Sequence, residues 1–119
     1  MSLQEIEVQV EKIDNIFVMR LEGAISSFTY KKFIEEVRKC NRKGGLIIDM
    51  EEVTAISSMG IAALKEISDM SYKSGNKIVF LNLSINVKQS LQMVGLNKVF
   101  NVAPNEELAM KMASKPASR

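Results

Sequence analysis

Histidine and tryptophan are absent from this 119-residue chain, and cysteine occurs once, at Cys40. Each absence removes chemistry. Without histidine there can be no Ser-His-Asp triad, no Cys-His pair and no imidazole metal site. A single cysteine cannot form a disulfide within the chain, which fits a reducing cytoplasm. An excess of one charge is also missing: 16 Lys and Arg stand against 14 Asp and Glu, a net charge of +2. The signs alternate along the chain, whereas a nucleic-acid or membrane surface needs a basic stripe. No nucleic-acid or membrane partner is therefore expected. The longest apolar runs, such as "LIID" and "KIVFLNL", are far too short to cross a bilayer. The segment "MSLQEIEVQ" is acidic and polar, unlike a secretory signal. No GxxxxGKS/T phosphate loop occurs, and Gly44-Gly45 precede a strand pattern rather than a helix.

What is present reads as a single globular domain: 46% of residues are hydrophobic and 25% charged. Ile6, Val8 and Val10 alternate as in a half-buried strand. Asp14-Asn15 signal a hairpin turn into "IFVMRLEG", which Gly23 is expected to end. "SSFTYKKFIEEVRKC" places Phe33, Val37 and Cys40 on one stripe, with Ile34 beside them. That predicts an amphipathic helix capped by Ser26 or Ser27. "LIIDM" is a short continuous apolar run, as in a strand buried on both faces. Ile61, Leu64, Ile67 and Met70 then step along a helix that Gly75-Asn76 close. "KIVFLNL" predicts another buried strand. Ser84 starts a helix with Val87, Leu91 and Val94 inward, ended by Gly95-Leu96. "KVFNV" predicts an edge strand, and "APNEELAMKMA" a last helix with Pro104 in its first turn. The order β-β-α-β-α-β-α-β-α implies an α/β fold, a mixed sheet with helices packed mainly on one face.

Chemistry concentrates in "ISSMGIA", residues 56–62, where a buried strand gives way to a helix. Ser57 and Ser58 admit three roles: helix cap, nucleophile, or a hydroxyl that another protein modifies. Capping needs only a serine oxygen facing an amide two or three residues on. A nucleophile needs an adjacent base; the one candidate, Lys65, lies two turns down the helix. Modification is favoured by position, since open α/β sheets place functional loops at the carboxyl ends of their strands. A helix N-terminus also tolerates an added anion. Gly60 would let a partner's backbone approach, and Met59 would offer it an apolar contact. Asp49, Glu51 and Glu52 form a small acidic group, expected in a solvated turn rather than on a metal. The eight methionines are expected in the core, Met59 excepted. Neither a metal nor a cofactor is expected.

Three segments carry a family resemblance: "VMRLEGAIS", "LIIDMEEVTAISSMGIAAL" and "KIVFLNLSINVKQSLQMVGLNKVFNV". In this order and spacing the chain resembles an STAS domain, specifically the bacterial anti-sigma factor antagonists. The resemblance implies an STAS-type fold; the single domain is expected over residues 1–113, and "SKPASR", residues 114–119, as a disordered tail. It also implies a cytoplasmic, non-enzymatic regulator working by partner switching. The unphosphorylated antagonist binds an anti-sigma factor that is also a serine kinase, and so regulates sigma-factor-dependent transcription. Phosphorylation ends that interaction, and a serine phosphatase resets it. Aligning Gly60 with the family's glycine makes Ser58 the phosphoacceptor, with Ser57, Met59, Gly60, Ile61 and Ser26 at the partner interface. The chain departs from the family where Ser57 and Ser26 replace usual acids and Met59 replaces a small residue. Two other readings are an STAS module that is never phosphorylated, serving as a structural subunit of a signalling or lipid-transport complex, and a nucleotide sensor acting near the serine loop.

Overall fold

The computed structural model describes residues 5–117. Its elements are β1 (Ile6–Ile13), β2 (Ile16–Ile25), α1 (Tyr30–Asn41), β3 (Gly45–Ile56), α2 (Ser58–Ser74), β4 (Ile78–Leu81), α3 (Ile85–Met93), β5 (Val102–Ala103) and α4 (Glu106–Ala113). The strands lie side by side in chain order. Asp14, at φ 56°, and Asn15 make the hairpin turn that sets β1 antiparallel to β2, with Ile13 opposite Ile16. The remaining pairs are parallel. Parallel neighbours need a crossover, and α1, α2 and α3 supply these in turn.

Two apolar layers sandwich the sheet. Met19, Leu21, Leu46, Ile48, Met50 and Phe80 face Phe33 and Val37 of α1, Leu64 and Ile67 of α2, and Leu91 of α3. On the other side Val18, Ile47, Val79 and Leu81 meet Ala109 and Ala113 of α4. Three helices thus cover one face and one covers the other. Small residues let α4 sit close: a Cβ on Gly45 would run into the Ala113 carbonyl oxygen.

Several boundaries differ from expectation, each for a local reason. β3 does not stop after "LIIDM" but continues to Ile56. Arg20 pairs with Asp49 and Glu22 with Glu52, so β3 advances three residues while β2 advances two. This bulge keeps Asp49, Glu51 and Glu52 inside the strand, not in a turn. Asp49 lies 3.9 Å from the Arg20 guanidinium, and no acidic cluster suited to a metal exists among the described residues. Gly23, at φ 118°, accommodates a second slip instead of ending β2. Thr29, not Ser26 or Ser27, holds the N-cap position of α1. Val94 lies beyond the last turn of α3 and is 54% exposed. Met93 is also exposed, unlike the buried Met19 and Met50. Residues 97–99 form a turn, leaving β5 two residues long. Pro104 precedes the cap of α4, which is Asn105. The expected tail is held to the body as far as Ala117: Pro116 bridges Asn76, and the Ala117 amide donates to the Gly75 carbonyl. Residues 1–4 and 118–119 lie outside the described residues.

Candidate functional site

The β3–α2 junction is built by one serine. The Ser57 amide donates to the Ile25 carbonyl at the end of β2 (2.9 Å), and the Ser57 carbonyl accepts from the Ile61 amide (2.9 Å). The Ser57 Oγ accepts from the Gly60 amide (3.2 Å), which makes Ser57 the N-cap of α2. Capping is therefore assigned, and to Ser57 alone. Ser58 is the first helical residue and is exposed, as is Met59 at 42%. Its own amide and that of Met59 have no intrahelical acceptor, and the first turn of α2 carries no acidic side chain. Ile61 is half-buried against the core.

Gly60 has a different role from the one expected. It is buried, and a Cβ there would lie 2.5 Å from the Ile25 carbonyl oxygen and 2.7 Å from the Ile56 side chain. The close approach that requires glycine is between α2 and the end of β2, within the molecule. Ser26 is also an internal residue, 7% exposed. Its amide donates to the Thr29 Oγ1 (2.9 Å), and its Oγ accepts from the Phe28 amide (3.1 Å). The Thr29 hydroxyl in turn donates to the Ala24 carbonyl (2.7 Å). Ser26 shapes the loop beside the serine pair.

Sequence reasoning missed two residues at this edge of the sheet. Phe28, before α1, is 64% exposed, and Ile85, which opens α3, is 71% exposed. The signal was available: both are large apolar residues off the buried stripes Phe33-Val37 and Val87-Leu91. α3 is tied to the same edge by the Asn86 side-chain amide, which donates to the Thr54 carbonyl (2.8 Å).

Ser58 is not placed beside the lysine that the sequence offered it as a base. Lys65 is exposed and seven residues along α2, about 10 Å up the helix axis at 1.5 Å per residue. Cys40 lies buried, and desolvation pushes its thiol pKa up, so it is a poor nucleophile. A cleft of about 680 Å³ lies at the opposite edge of the sheet. Among the described residues no helix is long and apolar enough to cross a membrane.

Comparison with known proteins adds a family match and three structural similarities. The family model described as the STAS domain matches residues 7–109. The fold is similar to that of an anti-sigma factor antagonist from Mycobacterium paratuberculosis, at TM-score 0.79 and 19% identity, covering 94% of this chain and 97% of that one. It is also similar to the Bacillus cell fate determinant SpoIIAA. The unphosphorylated form matches at TM-score 0.67 and 19% identity, covering 88% of this chain and 95% of that one. The phosphorylated form matches at 0.56 and 18%, covering 88% and 98%. A third similarity is to the murine anion transporter Solute Carrier 26 family member A9, at TM-score 0.72 and 22% identity. There the match covers 87% of this chain but 18% of the transporter.

Proposed function

Because the chain belongs to the STAS domain family, we propose that it is an anti-sigma factor antagonist working by partner switching. Unphosphorylated, it binds an anti-sigma factor that is also a serine kinase; phosphorylation of Ser58 ends the binding, and a serine phosphatase restores it. The observation that carries this reading is the division of labour between the serines: Ser57 caps α2 and leaves Ser58 exposed at the helix start. A phosphate on Ser58 would add about −1.5 to −2 charge where the helix dipole favours it, so the fold survives. A partner packed over Met59 would have to bury that charge, at a cost of several kcal/mol, and each 1.4 kcal/mol is tenfold in affinity.

The test is phosphopeptide mass spectrometry after incubation with the anti-sigma factor kinase and ATP. Phosphate is expected on Ser58, retained in Ser57→Ala and lost in Ser58→Ala; a kinase that binds the chain yet leaves Ser58 unmodified overturns the assignment. In the same system Ser58→Asp is expected to weaken binding without changing the melting temperature.

The similarity to one part of a much longer transporter favours a second reading, an STAS module that is never phosphorylated and serves as a structural or scaffolding subunit. Affinity purification followed by an assay of the captured partner for ATP-dependent phosphorylation of this chain separates the two.

A further inference from the structure

Four lysines, Lys43, Lys77, Lys111 and Lys115, line the cleft of about 680 Å³ at the amino edge of the parallel strands. Among the described residues Asp14 is the one carboxylate in its lining. Four positive charges less one leave +3 within the cleft, whereas the whole chain carries +2. The molecule's positive charge is thus concentrated here, although the linear sequence shows no basic run. Helices α1, α2 and α4 end at this cleft, and each carboxyl end contributes roughly half a negative charge. Together these answer about 1.5 of the +3. The Glu107 carboxylate, 3.7 Å from the Lys111 amine, offsets part of one more.

The walls are fixed by hydrogen bonds between distant segments. The buried Asn41 side-chain amide donates to the Asn76 carbonyl (2.9 Å), and the Asn76 side-chain amide donates to the Asn41 carbonyl (2.7 Å). The Ser74 hydroxyl donates to the Asn41 Oδ1 (2.7 Å). Pro116 bridges Asn76, which draws the segment carrying Lys115 across to the turn that carries Lys77. Gly44 adds no side chain to the floor, where a Cβ would lie 2.6 Å from the Asn15 carbonyl oxygen.

The lining also indicates which anion fits. Among the described residues it contains no arginine that would present a planar fork to a carboxylate. It contains no aromatic ring on which a nucleobase could stack. Lysine ammoniums act as point charges that respond to charge density. The volume lies within the range of small-molecule sites. We propose that this cleft binds a condensed phosphate group, read by its charge alone, at the end of the molecule remote from Ser58. A free polyphosphate and a nucleoside triphosphate share that chemistry.

The test is calorimetric titration of the full chain with sodium tripolyphosphate and, separately, ATP, in about 50 mM NaCl, where screening is weak. Tripolyphosphate is expected to bind, with ATP within about threefold of it because no base is read, and K43A/K77A is expected to weaken both by about tenfold. The control is K31A/K65A, which removes the same charge from the exposed faces of α1 and α2 and should leave binding within about twofold. Melting curves of both double variants establish that they are folded; if K43A/K77A unfolds, Lys43→Gln and Lys77→Gln are titrated singly. Absence of heat with tripolyphosphate overturns the proposal, as does an equal loss in the control, which would mean diffuse attraction to net charge. Binding of ATP without tripolyphosphate overturns the assigned ligand class. None of these outcomes depends on whether Ser58 is phosphorylated.

Discussion

The side chains of Ser57 and Ser58 differ in one hydrogen bond, the cap that Ser57 alone makes, and that bond predicts opposite behaviour in two alanine variants. Ser57→Ala removes the oxygen that accepts the Gly60 amide and should lower stability by about 1 kcal/mol. Ser58→Ala removes an exposed hydroxyl and should stay within about 0.5 kcal/mol of the parent. Urea titration of the two proteins checks this, and equal losses would mean that both serines cap the helix. Gly60 makes a sharper case. An alanine methyl there would press on the Ile25 carbonyl at 2.5 Å, backbone that cannot rotate away. We expect Gly60→Ala to cost about 1–3 kcal/mol and to weaken partner binding as the start of α2 is displaced. A Gly60→Ala protein with parental stability would show that α2 has room to shift.

Among the elements, α2 illustrates how each end is closed by different physics. Its start depends on a side-chain cap, its finish on backbone conformation. Gly75 sits at φ 79° with its amide bonded to the Ser71 carbonyl, and a Cβ there would meet nothing within 4 Å. Gly75→Ala should therefore cost about 1 kcal/mol from left-handed strain alone. Gly75→Asn should recover part of it, since asparagine tolerates that region. Thermal denaturation of the two variants gives the comparison; no difference between them would assign the loss to something other than φ. The element order was legible because helices announce themselves at spacings of three and four, as in Phe33, Val37 and Cys40. β3 is longer than its apolar run suggests because Glu51-Glu52, next to the bulge between Asp49 and Glu52, break that run, and a polar pair inside a strand reads as a turn. Ser26 and Ser27 precede α1 and so read as its cap, yet the turn through Thr29 and Ala24 draws Ser26 inward.

For the molecule as a whole, β3 is the member on which the others depend. It is paired on both sides, packed by helices on both faces, and Leu46, Ile47 and Ile48 are fully buried. Hydrogen exchange should find the amides of these three residues the slowest, opening only with global unfolding. Those of the two-residue edge strand β5 should exchange faster. If the β3 amides exchanged at the β5 rate, the sheet would not unfold as one unit.

The residues alone established much of this. The absence of histidine removed triad chemistry, the apolar spacings set the elements and their order, and Ser84, Gly75 and Gly95 marked helix ends that the structure bears out. Those features are local, written within four or five neighbouring positions. The rest required segments far apart in the chain to meet. Gly60 is needed because of Ile25, 35 residues earlier. Which serine is left exposed depends on the Ile25 carbonyl that anchors the other. Lys43, Lys77, Lys111 and Lys115 are spread over 73 residues and make one basic cleft only after three helices end at the same edge. Spacing along a chain encodes which face of an element is apolar. It does not encode which distant carbonyl or charge will lie opposite, because that depends on how the sheet orders its strands.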